Sequence, residues 1–235
     1  MKTKHVAILP ARSGSSRIPL KNIREFVGIP IIGRVINTLK ESNIFDRIIV
    51  STDSEDVMEV AKLFGAEIPF VRPKYISDNK TGTSSVIKHA LRELEITNES
   101  HGINVCCVYP TAVLMTISDL VVAKRLVEQR KWRYIFAATK INETSALRAF
   151  IKNKNGALSM LAPQYQEYNS QDLPHLYTDC GFFYWATINN WLSYETTFDS
   201  FSNFVEIPEM RGVDINTEQD WHLAEKSFLE YTSSL

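Results

Sequence analysis

Between His5 and Thr139 the chain repeats one unit, and that repetition limits the folds open to it. Short β-branched or apolar runs, each closed by a polar turn, precede segments whose apolar positions recur at helical spacing. His5 to Leu9 reads as a buried strand, and Ala11 to Gly28 as a polar loop carrying Gly14 and Pro19. A helix is expected over about Ile31 to Lys40 and a strand over Arg47 to Thr52. Asp53 or Ser54 then caps a helix whose Val57, Val60, Ala61 and Phe64 follow the helical period up to Gly65. Further strands are expected at 67–71, 104–109 and 134–139, with helices at 85–94 and 118–129. Strands alternating with helices require right-handed crossovers between parallel neighbours. The expected fold class is therefore α/β, with a doubly wound, mostly parallel sheet.

After Thr139 the pattern changes. Leu147 to Ile151 and Leu158 to Leu161 flank a Lys-Asn-Gly hairpin signal, and Thr178 to Trp185 is an aromatic, β-prone run. A short strand at 203–207 and a closing helix at 218–230 follow. Residues 140–185 read as a small β-containing excursion from one domain spanning 1–235, placed to serve a substrate pocket or a dimer contact. With 44% apolar and 23% charged residues, 235 residues can bury one continuous core without disulfides or a structural metal. A formal net charge of −1 argues against a general nucleic-acid partner, so any anion site is built locally. No stretch approaches the length of a membrane span, and the N-terminal apolar run breaks at Pro10 and Arg12, too early for a signal peptide. The odd set Cys106, Cys107 and Cys180 matches no zinc or redox spacing and reads as reduced, buried thiols in a cytoplasmic protein.

The densest chemistry lies in Ala11 to Asn22, directly after the first strand. Open α/β sheets bind ligands at the carboxyl ends of their strands. Backbone N–H groups of Ser13, Gly14, Ser15 and Ser16 can cradle phosphate oxygens while Arg12, Arg17 and Lys21 neutralise them. The segment is neither G-x-G-x-x-G nor a P-loop, and a solvated basic loop is the alternative. Other residues carry equally plain readings. Asp53 serves as a helix cap, Asp78 closes a turn, Arg72 sits at a surface strand end, and Phe182 to Trp185 belong to the core. His5, His89, His101 and His222 have no partner pattern and read as structural or exposed.

Ala11 to Asn22 resembles the nucleotide-binding signature A-R-x-G-S-K-R-x-x-x-K-N of the cytidylyltransferases that activate nonulosonic acids as their CMP derivatives, sialic, legionaminic and pseudaminic. The similarity continues through 45–53, Arg72-Pro73, Ser77-Asp78, 81–83, Tyr109-Pro110-Thr111, 173–181 and 213–218. It implies a Rossmann-like nucleotidyltransferase fold, with Ala11, Arg12, Ser13, Gly14, Ser15, Ser16, Arg17, Lys21 and Asn22 on the CTP phosphates and ribose. Arg72, Thr83, Tyr109, Pro110 and Thr111 would surround the cytidine. Arg148, His175 and Asp179 would face the sugar, and Asp214 with Asn216 would hold Mg²⁺ or Mn²⁺. Arg12, Lys21 and Asp214 would carry catalysis.

Two departures stand out. Ser16 replaces the usual lysine, and Asn216 replaces a second acidic ligand, which removes one positive and one negative charge. The implied activity is CMP transfer from CTP to a nine-carbon keto-acid sugar with release of pyrophosphate, by a homodimer that supplies cell-surface glycan or flagellin glycosylation. Several blocks look more like pseudaminic acid enzymes than sialic ones. Sequence leaves open a CMP-sialic or CMP-legionaminic acid synthetase, a CMP-Kdo or molybdopterin nucleotidyltransferase, and a non-catalytic CTP-binding regulatory relative.

Overall fold

The computed structural model describes residues 4–15, 17–97, 102–194 and 196–233; Ser16 and His101 lie outside them. In chain order the elements are β1 (Lys4–Pro10), the short pair β2 (Glu25–Phe26) and β3 (Ile29–Pro30), α1 (Ile31–Glu41), β4 (Arg47–Ser51), α2 (Glu55–Leu63), α3 (Thr83–Glu93), β5 (Ile103–Val108) and α4 (Ile117–Glu128). There follow β6 (Tyr134–Ile141), α5 (Glu143–Leu147), the hairpin β7 (Phe150–Lys152) and β8 (Leu158–Met160), β9 (Leu176–Thr187), α6 (Ile188–Ser193), β10 (Asn203–Ile207) and α7 (Glu218–Ser233).

Six strands form one sheet in the order β10-β6-β9-β5-β1-β4. All neighbours run parallel except β9, which lies antiparallel between β5 and β6. Burial explains the composition of the central strands. His5 to Leu9 are buried without a break, as a strand covered on both faces requires. Successive residues sort to opposite faces: Ala7, Leu9 and Cys106 pack with α1, α2, α4 and α7, while Val6, Ile8 and Cys107 pack with α3 and α6.

Local signals set the helix starts. The Ser54 hydroxyl accepts from the Val57 N–H, and Thr116 with Asp119 forms a capping box at α4.

Two expectations change. The strand expected at 67–71 reduces to a single parallel bridge, Ile49 to Glu67, because Pro69 has no N–H to offer a ladder. The excursion is also shorter than 140–185. The chain leaves the sheet after Ile141 and rejoins it at Leu176, since the aromatic run beyond belongs to β9, in the middle of the sheet.

Chain order places the ligand crevice. From β1 the chain moves outward to β4, then crosses back to β5 on the other side of β1. Loops leaving the carboxyl ends of β1 and β5 therefore diverge and open a gap, the usual ligand position in such sheets. Among the described residues, no helix is long and apolar enough to cross a membrane.

The three thiols are buried and unpaired; burial pushes Cys106 and Cys107 well up and Cys180 to about 12. An aromatic disulfide reagent is expected to titrate no thiol in the native protein and all three cysteines in urea. Rapid reaction of even one thiol under native conditions contradicts the packing described.

Candidate active site

The crevice between the β1 and β5 loops holds a cavity of about 400 Å3. Four cationic side chains line it, Arg12, Arg17, Lys21 and Arg72, against one carboxylate, Asp78. That balance suits a polyanion. Ser15, Asn22, Asn79, Thr83, Tyr109, Pro110, Thr111 and Asn216 supply neutral groups to the wall.

The loop after β1 is shaped by its own anchors. Ala11 is fully buried, and its N–H donates to the Ser51 carbonyl at 2.9 Å, extending the β1–β4 ladder by one bond. The Asn22 amide then donates to the Arg12 carbonyl at 2.9 Å, tying the end of the loop to its start. Ser13 turns away from the cavity wall and gives both donors to Asp53, N–H at 2.9 Å and hydroxyl at 2.7 Å. Gly14 is exposed beside Ser13 and, like it and Ala11, is absent from the wall.

The cations are held by neutral acceptors. Arg12 donates to the side-chain carbonyl of Asn79, Arg17 to Asn216 Oδ1 at 2.7 Å, and Lys21 Nζ to the Ile215 carbonyl at 2.6 Å. Burial lowers the Lys21 pKa, partly offset by Asp214.

Arg72 lies deepest, at 3% exposure, and its Nε and Nη2 have no hydrogen-bond partner. Burial drops its pKa to about 10, with the nearby Asp53 carboxylate pulling the other way. Leaving buried guanidinium N–H groups unpaired is costly, so this arginine is poised for an acceptor from a ligand. Beside it, the Tyr109 hydroxyl and Thr83 Oγ1 are 2.6 Å apart, and burial pushes the tyrosine to about 12, so it stays protonated. Asp78 accepts from Thr81 through both N–H and hydroxyl, closing the loop that carries Asn79.

At the opposite end, Asp214 sits against β9. A Cβ built at Gly181, whose φ is +63°, would lie 2.8 Å from Asp214 Oδ1, so only glycine admits the carboxylate there. Asn216 Nδ2 donates to Asp214 Oδ2 at 2.5 Å while its Oδ1 receives Arg17. Asp179 accepts from the Gly181 N–H at 3.1 Å and from the Tyr184 hydroxyl. Burial raises the pKa of both carboxyls, and Asp214 adds to the rise at Asp179.

Not every residue of the sequence reading converges here. His175 is exposed and pairs with Glu143 at 2.8 Å, and Arg148 donates to the Tyr168 carbonyl; neither lines the cavity. Asp53, Asn79 and Tyr184 carry contacts that the sequence reading assigned to a cap, to no role and to the core. The one available signal was Asp53 itself, an acid at the carboxyl end of a strand facing a basic loop.

Burial alone would raise the Asp53 pKa, but the two Ser13 hydrogen bonds, together with its own N–H and the Arg72 charge, outweigh it and leave the carboxyl below its ordinary value. Its hold on the loop is therefore complete above about pH 4, the unfolded-state value, and is lost as pH falls through the lower folded-state value. Asp53→Asn removes the charge and one acceptor. It is expected to weaken CTP binding by roughly tenfold in calorimetry at neutral pH, the scale of one charge-assisted hydrogen bond. Unchanged affinity overturns the anchoring role.

Comparison with known proteins agrees with this geometry. The family model described as cytidylyltransferase matches residues 6–232. The chain is 38% identical over 221 residues to the pseudaminic acid cytidylyltransferase of Campylobacter jejuni subsp. jejuni serotype O:2, covering 94% of each chain. It is 26% identical over 225 residues to the N-acylneuraminate cytidylyltransferase of Escherichia coli O18:K1:H7, covering 95% of this chain and 52% of that one. Among solved structures, CMP:2-keto-3-deoxy-manno-octonic acid synthetase complexed with CTP superposes with a TM-score of 0.71 at 15% identity, over 99% of this chain and 100% of that one. That likeness shows the shared fold. A cation-lined crevice at the switch point of the sheet and a sequence match running almost end to end make this chain a member of the cytidylyltransferase family.

Proposed function

We propose that the protein, as one catalytic domain spanning 1–235, transfers CMP from CTP to the anomeric hydroxyl of a nine-carbon keto-acid sugar, pseudaminic acid. The hydroxyl oxygen bonds to the α-phosphorus and gives up its proton to water or to a nearby carboxylate, the bond from that phosphorus to the β-phosphate bridging oxygen breaks, and pyrophosphate leaves. One observation carries the reading: four cations, Arg12, Arg17, Lys21 and Arg72, line the crevice against the single carboxylate of Asp78. The Campylobacter relative is named for the same sugar, which supports that choice over sialic or legionaminic acid.

The roles follow from position. Arg12, Arg17 and Lys21 hold the triphosphate and oppose the charge that builds on the leaving pyrophosphate. Arg72, Thr83 and the Tyr109-Pro110-Thr111 turn enclose the nucleoside. Asp179 and Tyr184 bound the sugar side. Arg148 and His175, on the excursion, reach the sugar only if that segment meets a substrate or a second subunit.

Among the described residues, no three His, Cys, Asp or Glu side chains cluster as a metal site. Asp214, a hard carboxylate donor, would hold a cation shared with phosphate oxygens and water, with Asn216 mainly bridging Arg17 to Asp214. Bound there, Mg²⁺ or Mn²⁺ would screen the triphosphate charge. Free buried thiols support a reducing, cytoplasmic setting for the reaction.

Turnover of CTP with pseudaminic, legionaminic and N-acetylneuraminic acids, read as pyrophosphate release and product mass, tests the reading. CMP-pseudaminic acid is expected as the main product, no product in EDTA, and a loss of kcat/KM of about 10- to 150-fold in Arg12→Ala. Preference for another acid overturns the sugar assignment. CTP binding with no turnover on any acid overturns the enzymatic one.

We also propose a homodimer through the excursion. Its hairpin exposes Phe150 (61%), Leu158 (65%) and the neighbouring Leu161 (62%), apolar area that a monomer leaves in water. Light scattering at micromolar concentration is expected to give twice the chain mass, and Phe150→Asp with Leu158→Asp to give a monomer. A monomeric wild type refutes it.

A further inference from the structure

The stretch joining β10 to α7 does more than connect them. It brings Asn216 to the wall of the cavity, with Ile215 and Asp214 just behind it, and there the Ile215 carbonyl and the Asn216 side chain hold Lys21 and Arg17. Its backbone is held at its start by a tight turn, in which Arg211 and Gly212 donate to the Pro208 carbonyl at 2.8 and 3.1 Å, and at its end by Asp220, which accepts the Asn216 and Thr217 N–H groups at 2.9 and 2.7 Å. A further tie is needed to fix the height of its first half above the strands.

Arg211 is placed to do so. It is 9% exposed, and its guanidinium makes a forked pair with Asp119, Nη1 to Oδ2 at 2.6 Å and Nη2 to Oδ1 at 3.1 Å. Nη1 also donates to the Leu114 carbonyl at 2.8 Å. Asp119 is itself fixed, because its Oδ2 accepts the Thr116 N–H at 2.8 Å in the capping box of α4. The guanidinium carbon also lies 5.6 Å from the centre of the Tyr231 ring on α7. One side chain thus joins the crossing segment to α4, to the loop after β5 and to the last helix. Immediately after it, Gly212 lies so close to β6 that a Cβ there would fall 2.4 Å from the Thr139 side chain. No alternative seating with a larger residue fits.

We propose that Arg211 is a positioning residue for CMP transfer: its buried fork with Asp119 sets the place of Asp214 and Asn216 over the phosphate end of the crevice. The geometry favours arginine in particular. A planar fork satisfies both carboxylate oxygens and a carbonyl at once and so fixes direction as well as distance, whereas an ammonium on a flexible stem fixes only distance. The nucleoside end, built from Arg72, Thr83 and Tyr109, makes no contact with Arg211. Losing the fork should therefore displace the reacting end of the site most, and loosen nucleotide capture only as far as Arg17 and Lys21 lose their acceptors on the segment. The inference rests on the proposed transfer reaction, and its test separates the two.

The experiment compares wild type with Arg211→Lys, which keeps the charge and loses the fork, and with Thr116→Ala, which loosens Asp119 without touching the crossing segment. Hydrogen exchange of a peptide covering 211–217, CTP affinity by calorimetry, melting temperature and steady-state kinetics are read on each. For Arg211→Lys, amides of 212–217 are expected to exchange faster. The kcat should fall on the order of 100-fold, the scale for displacement of a reacting group by about 1 Å, with KM for CTP and CTP affinity changing by no more than about tenfold, the scale of one weakened charge-assisted contact. Thr116→Ala should show the same pattern more weakly, and it carries the test if Arg211→Lys does not fold. A lowered melting temperature with wild-type kcat and exchange in the folded enzyme means that Arg211 is merely structural, and the proposal is overturned. If wild type transfers CMP to no acid, the functional reading fails, while unchanged exchange at 212–217 still refutes the clamp.

Discussion

Four cationic side chains converge on one crevice, and most of the site follows from holding them there without cancelling them. Like charges at short range repel, and the obvious remedy, a carboxylate for each, would leave nothing for a polyanionic ligand. The protein uses neutral acceptors instead. Arg12 meets an amide oxygen of Asn79, Arg17 an amide oxygen of Asn216, and Lys21 a main-chain carbonyl. These contacts fix direction and leave the positive charge uncancelled, available to an anionic ligand. Asn216 fits that scheme: a carboxylate there would pair with Arg17 directly.

Carboxylates that do approach the site work at one remove. Asp53 takes the Ser13 donors and holds the loop rather than an arginine. Asp119 takes Arg211 and holds the crossing segment. Asp214 is separated from Arg17 by the Asn216 amide and is kept against β9 by the absence of a side chain at Gly181. The result is a crevice whose lining carries four cations and a single carboxylate, Asp78, with Asp179 and Asp214 close to each other behind it. Electrostatic complementarity of this kind stabilises a transition state only if it is already in place when the substrates arrive. The buried anchors provide that rigidity.

How much of this could be read from the residues depends on distance along the chain. Strands 5–9, 47–52, 104–109 and 134–139 were legible because each is a continuous β-prone run set between helical periods, and Ser54 announced its helix by local capping chemistry. The strand expected at 67–71 failed for an equally local reason, the missing N–H of Pro69. The direction of β9 was not legible. An aromatic, β-prone run pairs as well antiparallel as parallel, and only its neighbours β5 and β6 decide. Arg12, Arg17, Lys21 and Asn22 stood out because they are crowded into one loop. Asp53, Asn79 and Arg211 did not, since each acts on a partner about 40, 67 and 92 positions away.

The sequence by itself therefore determined the α/β class, the basic loop after the first strand and the kinship that its motif blocks carry. Those are properties of neighbours in the chain, where spacing and side-chain chemistry suffice. Only the tertiary structure decided which residues meet. It brought Asp214 and Asn216 to a loop some two hundred positions earlier, set Arg148 and His175 apart from the crevice, and left two Arg72 nitrogens buried without a partner. The physical reason is that the crossover from β4 to β5 and the antiparallel entry of β9 set the distances between loop ends, and hydrogen bonds and ion pairs act only over those distances.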